Sequence, residues 1–99
     1  MHEFVILSGA ENDILDTYAR YEFAADGLGE RFSQMVDRSL NQLSSIPESA
    51  PRFQGSIRRI LVPSFPFGIF YSMENHRVIV QAVLDLRQSR EQILRRLGS

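Results

Sequence analysis

Apolar residues recur at helical spacing over two consecutive stretches in the first half of the chain. Over residues 10–24 they stand three or four positions apart, at Ala10, Ile14, Tyr18 and Tyr21. Over residues 28–46 they form a continuous stripe, at Leu28, Phe32, Met35, Val36, Leu40 and Leu43. Asp26 and Gly27 separate the stretches, and Pro47 ends the second because a residue before proline is disfavoured in the α region. The pattern predicts two helices joined by a tight turn.

Residues with β-type patterning fill most of the remaining chain. A short apolar run at residues 3–7 precedes the helices, and runs at residues 57–62, 65–73 and 77–85 follow a predicted loop at residues 48–55. The middle run has one strongly apolar face, made of Phe65, Phe67, Ile69, Tyr71 and Met73. The last run is apolar on nearly both faces, which predicts a central strand. Its alternation sets two groups on opposite faces: Val78, Val80, Ala82 and Leu84 against Ile79, Gln81, Val83 and Asp85.

Two serines stand at the spacing of a capping box. Ser8 is followed three residues later by Glu11, and Ser89 by Gln92. In this motif the hydroxyl accepts a hydrogen bond from the third helical N–H, and the later side chain reaches back. The spacing predicts helix starts at both serines, and Ile93, Leu94 and Leu97 supply the apolar stripe of a short last helix.

The element order is β-α-α-β-β-β-α. It predicts an α+β fold in which an N-terminal strand, a helical hairpin packed on an antiparallel sheet and a short C-terminal helix form a single domain over residues 1–99. A chain of 99 residues has room for one hydrophobic core and no second module.

The composition excludes several kinds of chemistry. There is no cysteine, so disulfides, thiolate metal sites and a cysteine nucleophile are ruled out. His2 and His76 are too few and too far apart to indicate a zinc site, and no phosphate-binding glycine loop or Ser/His/Asp arrangement is present. We therefore expect no metal and no cofactor. The apolar run at residues 4–7 is too short for a signal-peptide core or a membrane span, which favours a cytoplasmic protein.

Arginine supplies all eleven of the permanently basic residues. The net charge is −1, but the last thirteen residues hold four arginines and one glutamate, so the C-terminal part is locally basic. Without lysine, the chain has no amine to act as a general base or a Schiff-base former. A guanidinium stays charged at every working pH, so arginines clamp anions well and transfer protons poorly.

Three segments carry a family resemblance. They are residues 7–14 (LSGAENDI), residues 57–71 (IRRILV, then FPFGIFY from Phe65), and residues 78–83 with Arg87 and Arg90 beyond them. The first segment is similar to the junction between the first strand and the first helix of RelE/ParE-type toxins. The second is similar to the most recognisable segment of that family. The third is similar to the last strand of the family and the basic residues that follow it. The chain resembles this superfamily of bacterial type II toxin–antitoxin systems over nearly its whole length, and the ParE-like branch most closely.

The resemblance implies a function. It indicates the toxin of a plasmid-stabilisation-like toxin–antitoxin pair, which binds and poisons DNA gyrase without catalysis and is neutralised by a cognate antitoxin in a hetero-oligomer. One alternative is a ribosome-dependent mRNA interferase, an endoribonuclease, and only this alternative implies direct binding of nucleic acid. Another is a relative that is no longer toxic but still binds its antitoxin.

Several positions depart from the ribonuclease pattern of the superfamily. Gly68 stands where such ribonucleases carry an arginine, Leu94 stands where they tend to place a tyrosine, and the lysines common in their active sites are missing. These departures remove acid/base groups, which favours the gyrase-inhibitor branch. Asp85 stands where many relatives have a histidine, so a role of that position does not carry over.

The predicted site is a basic surface for the target or the antitoxin. Its members are Arg59, Arg87, Arg90, Arg95 and Arg96. Arg58 and Arg59 are neighbours on a strand and point to opposite faces, so we expect one of them to be exposed, and Arg59 is the preferred candidate. We expect an acidic partner peptide to lie over the sheet and the basic C-terminal region. The alternative is a solvated helix face, on which Arg95 and Arg96 complement the helix dipole.

Acidic residues cluster at the start of the first predicted helix. Glu11, Asp13 and Asp16 are spaced closely enough to suggest a paired-carboxylate site. Carboxylates in the first turns of a helix more commonly face solvent and complement the helix dipole. We therefore predict that these three residues are solvated.

Overall fold

The chain alternates strands and helices in the predicted order, with one additional short strand. The computed structural model describes residues 3–98. Its elements are β1 (Glu3–Ile6), α1 (Ser8–Ala24), α2 (Leu28–Ser45), β2 (Arg52–Gln54), β3 (Ile57–Leu61), β4 (Phe67–Glu74), β5 (Arg77–Asp85) and α3 (Arg90–Gly98). The α+β class, the helical hairpin, the three-strand meander and the C-terminal helix are confirmed. The prediction of a loop over residues 48–55 is wrong for the three residues of β2.

The five strands form one sheet in the order β1-β5-β4-β3-β2. The meander from β2 to β5 is antiparallel throughout, whereas β1 pairs with β5 in parallel. The helical hairpin between β1 and the meander provides the long crossover that parallel pairing needs. The sheet is therefore mixed, with the predicted antiparallel meander and one parallel edge that the sequence pattern did not specify.

A bulge interrupts the pairing of β4 with β5. Phe70 lies opposite Ala82 and Tyr71 lies opposite Val80, so Gln81 is an extra residue on β5. An extra residue reverses the alternation of the strand beyond it. The predicted grouping of Val78, Val80, Ala82 and Leu84 on one face is therefore wrong after Gln81. Val83 packs on the hairpin side, while Ala82 and Leu84 pack on the α3 side.

Hydrophobic clusters lie on both faces of the sheet. The hairpin core, between the sheet and the two long helices, includes Phe32, Val36, Leu43, Phe67, Ile69, Tyr71, Val78, Val80 and Val83. The α3 core consists of Phe70, Ala82, Leu84 and Ile93, with Phe53, Ile57, Leu86 and Leu97 packed against it. The predicted apolar face of the middle strand is confirmed, because Phe67, Ile69 and Tyr71 all lie in the hairpin core.

The two predicted capping boxes have different outcomes. At α3 the box is present: the backbone N–H of Gln92 donates to Ser89 Oγ at 3.1 Å, and the N–H of Ser89 donates to Gln92 Oε1 at 3.0 Å. At α1 the helix begins at Ser8, as predicted, but the predicted capping box is wrong, because Leu7 is the N-cap residue and no side chain caps the helix. The N–H of Leu7 donates to the carbonyl of Val80 at 3.0 Å. The strand pairing thus continues up to the helix and leaves no separate capping residue.

The turn between the long helices is closed by a carboxylate from α1. Glu22 accepts hydrogen bonds from the backbone N–H groups of Gly27 and Gly29, both at 2.9 Å. These groups lie at the N-terminus of α2, where N–H donors lack partners within the helix. The hydrogen bond from Gly27 is the main reason that the pKa of Glu22 lies below its ordinary value. The two helices are therefore joined by a tight turn, as predicted. The sequence pattern did not predict that Glu22 caps the N-terminus of α2.

Tyr71 gives the stability of the domain a dependence on alkaline pH. Its side chain is fully buried, and its hydroxyl donates to the carbonyl of Pro47. Burial raises the pKa of the Tyr71 phenol above its ordinary value of 10.0. Above about pH 10 the unfolded chain loses this proton while the folded protein keeps it, so the free energy of unfolding falls as the pH rises.

We expect urea denaturation to show this fall above about pH 10 and to show less of it for Tyr71→Phe. The Tyr71→Phe protein should also be less stable at neutral pH by about 1–3 kcal/mol, since the buried Pro47 carbonyl loses its donor. Tyr18→Phe is the matched control, because Tyr18 is only partly buried. An identical alkaline fall in the wild-type and Tyr71→Phe proteins would contradict the assignment.

Candidate functional site: an arginine cluster around Phe53

The predicted site arginines divide between the two faces of the sheet. Arg59 and Arg90 lie on the α3 face beside Phe53, whereas Arg87 lies on the hairpin face beside α1. Arg58 lies on the hairpin face, where its guanidinium donates to the carbonyl of Ala50 at 2.7 Å. The predicted opposite orientation of Arg58 and Arg59 is therefore confirmed. The five predicted arginines do not form one continuous patch.

Phe53 and three arginines form a compact group at the edge of the α3 core. We call it the Phe53 arginine cluster, and its members are Arg52, Phe53, Arg59 and Arg90. The guanidinium carbon of Arg90 lies 4.4 Å from the centre of the Phe53 ring, and that of Arg59 lies 5.8 Å from it. The Phe53 ring packs edge-on against Phe70 at 5.1 Å. These distances fit cation–π contacts, which hold two positive charges beside one ring.

The charge of the cluster is not cancelled by nearby acids. Arg90 Nη2 donates to the carbonyl oxygen of Phe53 at 3.1 Å and to Gln54 Oε1 at 2.8 Å, and both acceptors are neutral. Within residues 3–98, no ion pair involves Arg52, Arg59 or Arg90. Two guanidiniums without acidic partners therefore lie beside Phe53, at a pocket of about 220 Å³ that Arg52 also lines. Such a site attracts an anionic group.

Gly68 leaves open the space that Arg59 occupies. A Cβ atom at position 68 would lie 3.0 Å from Arg59 Cγ and 3.0 Å from Leu86 Cδ2. A Cβ atom there would require the Arg59 or Leu86 side chain to shift by a few tenths of an ångström. Gly68 stands where the ribonucleases of the superfamily carry an arginine. Its lack of a side chain leaves room for Arg59 to lie over the sheet beside Phe53.

The cluster can bind and orient but is poorly suited to proton transfer. Its pocket is lined by Pro51 and the four cluster residues. None of these side chains exchanges a proton near neutral pH, because a guanidinium stays protonated and the others do not ionise. The chemistry that the pocket supports is charge-assisted hydrogen bonding to an anion or an acidic surface.

Arg87 is joined to Asp85 on the opposite face. Its Nε and Nη2 atoms donate to the two carboxylate oxygens of Asp85 at 3.0 and 2.7 Å. The side-chain hydrogen bond from Arg87 is the main cause that lowers the pKa of Asp85. The Arg87 side chain remains 71% exposed. It is therefore available to a partner, at a place separate from the Phe53 arginine cluster.

The last two predicted arginines are both paired. Arg95 binds Glu91 one helical turn away at 2.7 Å, on the surface of α3. Arg96 binds Asp13 of α1 through two nitrogens, at 2.8 and 2.9 Å, and donates to the carbonyl of Gly9 at 3.1 Å. Arg96 therefore ties α3 to α1. The role of Arg96 as a partner contact stays a prediction. Its contacts with Asp13 and Gly9 show that it also holds α3 against α1.

Asp13 corrects the expectation of a solvated acidic turn. Its side chain is only 15% exposed, and its Oδ2 accepts the backbone N–H of Val83 at 3.0 Å in addition to the contact with Arg96. Glu11 and Asp16 are exposed, as predicted. Asp13 is different because it faces the sheet, where it joins α1, β5 and α3.

Sequence reasoning missed two members of the cluster. Arg52 and Phe53 lie in the segment predicted as a loop, and their contacts depend on β2 pairing with β3. The alternation of a polar, an aromatic and a polar residue over positions 52–54 was the available signal, but three residues are too few to establish a strand. His2, considered for metal binding, lies outside the described residues.

Comparison with known proteins finds similarity at the level of the fold. No protein-family model and no curated protein matches the sequence. Among solved structures, a chain described as "Chromosomal ParDE TA system from P. aeruginosa" superimposes with a TM-score of 0.75 at 14% sequence identity. The superposition covers 88% of this chain and 98% of that chain. Within residues 3–98, no helix combines the length and apolar character that a bilayer crossing needs.

At 14% identity the superposition establishes the fold. The resemblance drawn from residues 7–14, 57–71 and 78–83 predicts the same fold, and the two observations agree. The chain therefore shares its fold with that chain of the ParDE system.

Proposed function

We propose that this chain is the toxin of a type II toxin–antitoxin system, and that it acts by binding and poisoning DNA gyrase until a cognate antitoxin neutralises it. The observation that carries the proposal is the superposition on a chain of a ParDE system over nearly the full length of both chains. The family resemblance of the sequence, most similar to the ParE-like branch, supports the same assignment. The partners proposed are an antitoxin protein and gyrase.

The Phe53 arginine cluster supports a mode of action by binding. Two guanidiniums without acidic partners, fixed beside one aromatic ring, are suited to contact an acidic surface on a large protein. Arginine and aromatic residues together dominate the energy of many protein interfaces. Since the lining residues cannot shuttle protons, binding explains the cluster better than catalysis. We propose Arg59 and Arg90 as the principal target contacts.

The proposal is tested with purified toxin in a gyrase supercoiling assay. We expect the wild-type chain to inhibit supercoiling or to trap cleaved DNA. The double variant Arg59→Gln, Arg90→Gln should be about tenfold or more less potent, as for loss of arginine hot spots in an interface. Arg38→Gln is the matched control, because Arg38 is exposed on α2, away from the cluster. Unaffected gyrase at saturating toxin would remove the proposal.

An mRNA interferase is the second candidate, and the same cluster is the observation that favours it. Arginines beside an aromatic ring also suit a phosphate and a stacked base. This candidate predicts codon-dependent cuts in ribosome-bound message during growth arrest, whereas intact message would exclude it. Harmless overexpression together with tight binding of the antitoxin encoded nearby would instead indicate a relative that is no longer toxic.

A further inference from the structure

A second pocket lies on the hairpin face, apart from the Phe53 arginine cluster. It opens between the second half of α1 and the end of β5 and holds about 430 Å³. This volume is within the range of about 300–1,000 Å³ that ligand sites occupy. Its apolar wall is formed by Tyr21, Ala24 and Phe67, and its rim carries Arg20, Asp85 and Arg87. No function described above uses this pocket.

The two arginines at the rim are incompletely paired. Arg20 Nη2 donates to Thr17 Oγ1 at 3.3 Å, and within residues 3–98 no carboxylate lies within ion-pair distance of Arg20. Arg87 uses Nε and Nη2 on Asp85 and remains mostly exposed. Among the residues that line this pocket, two positive charges and one negative charge give a net charge of about +1 at neutral pH, while Asp13 and Asp16 line the adjoining pocket. The rim is therefore complementary to a single negative charge.

We infer that this pocket binds a carboxylate side chain of a partner polypeptide, together with an apolar residue next to it in the partner. The carboxylate would lie between Arg20 and Arg87, where guanidinium groups form charge-assisted hydrogen bonds to it. The apolar residue would cover Tyr21, Ala24 and Phe67. The identification of this partner as the antitoxin rests on the proposed function, while the binding of an acidic peptide does not.

The charge at the rim favours a carboxylate over a phosphate. A phosphate monoester carries a charge of about −1.5 to −2 at neutral pH, and the carboxylate of Asp85 at the same rim would repel it. A phosphodiester has a single charge, but the wall it would contact is made of apolar carbon rather than further cations. An acidic residue beside an aliphatic or aromatic residue satisfies both parts of the pocket.

The inference is tested by NMR titration of the full chain with two short peptides, acetyl-Leu-Glu-Leu-amide and acetyl-Leu-Gln-Leu-amide. We expect the acidic peptide to shift the side-chain Nε–H signals of Arg20 and Arg87 and to bind measurably more tightly than the neutral one. Arg20→Gln and Arg87→Gln should each weaken binding by up to about fivefold, the effect of an exposed ion pair. Arg31→Gln, an exposed arginine on α2, should leave binding unchanged.

Equal binding of the two peptides, or unchanged binding after Arg20→Gln in a protein with wild-type melting temperature, would overturn the inference. A thymidine dinucleotide that binds more tightly than the acidic peptide and shifts the same signals would also overturn it, in favour of a phosphate. None of these results depends on gyrase. A failure of the gyrase assay with intact peptide binding would therefore reject the proposed target and leave this site standing.

Discussion

Replacing Phe32 with alanine is expected to lower the free energy of unfolding by about 3–5 kcal/mol, the usual cost of removing a buried aromatic ring. The Phe32 side chain is fully buried at the centre of the hairpin core. Its ring contacts those of Tyr21, Phe65 and Phe67 at centre-to-centre distances of 5.5, 5.3 and 5.4 Å. The loss is a large fraction of the stability expected for a domain of this size, about 5–15 kcal/mol.

Urea denaturation at neutral pH measures this effect, and Phe23→Ala is its matched control. Phe23 belongs to the same helical hairpin but is 96% exposed, so its removal should change the stability by no more than about 0.5 kcal/mol. Similar losses for the two variants would show that Phe32 is not the packing centre of the hairpin.

Replacing Gly29 with alanine is expected to destabilise the protein by about 1–3 kcal/mol or more, as overpacking at a rigid contact does. A Cβ atom at this position would lie 2.6 Å from the carbonyl oxygen of Tyr18 and 2.9 Å from Cβ of Glu22. The first atom is backbone, so the two helices must move apart to admit the methyl group. That movement would also disturb the hydrogen bonds by which Glu22 caps α2.

Thermal denaturation detects this change as a drop of about 4–8 °C in melting temperature for each kcal/mol lost. Gly98→Ala provides the comparison, because an added Cβ at Gly98 meets no atom within 4 Å. An alanine at position 98 should be neutral or slightly stabilising, since alanine favours helix more than glycine. A Gly29→Ala protein with wild-type melting temperature would contradict the close approach of α1 and α2.

The elements that the sequence predicted well are those whose pattern repeats over many residues. The stripe over residues 28–46 predicted α2 to within one residue, and the run at residues 77–85 predicted the bounds of β5. The features it did not predict are set by a partner strand. Gln81 becomes a bulge only because β4 pairs with β5 in a particular register, and β2 exists only through its pairing with β3. Neither pairing leaves a periodic signal in the chain itself.

The candidate site was predictable only in part for the same reason. The resemblance and the basic C-terminal segment singled out Arg59 and Arg90, which the structure brings to one aromatic ring. Phe53 supplies that ring, and its position depends on the tertiary packing against Phe70. Arg20 was missed because it stands among polar residues of α1. Its place beside Arg87 depends on how α1 crosses the end of β5.

The single inserted residue in β5 determines how charge is distributed over the molecule. If Gln81 paired as an ordinary strand residue instead of bulging, uninterrupted alternation from Val80 would turn Asp85 toward the side on which Arg59 and Arg90 lie. With the bulge, Asp85 and its ion-pair partner Arg87 lie on the face of the sheet opposite the Phe53 arginine cluster, so the positive charge is divided between two separate surfaces.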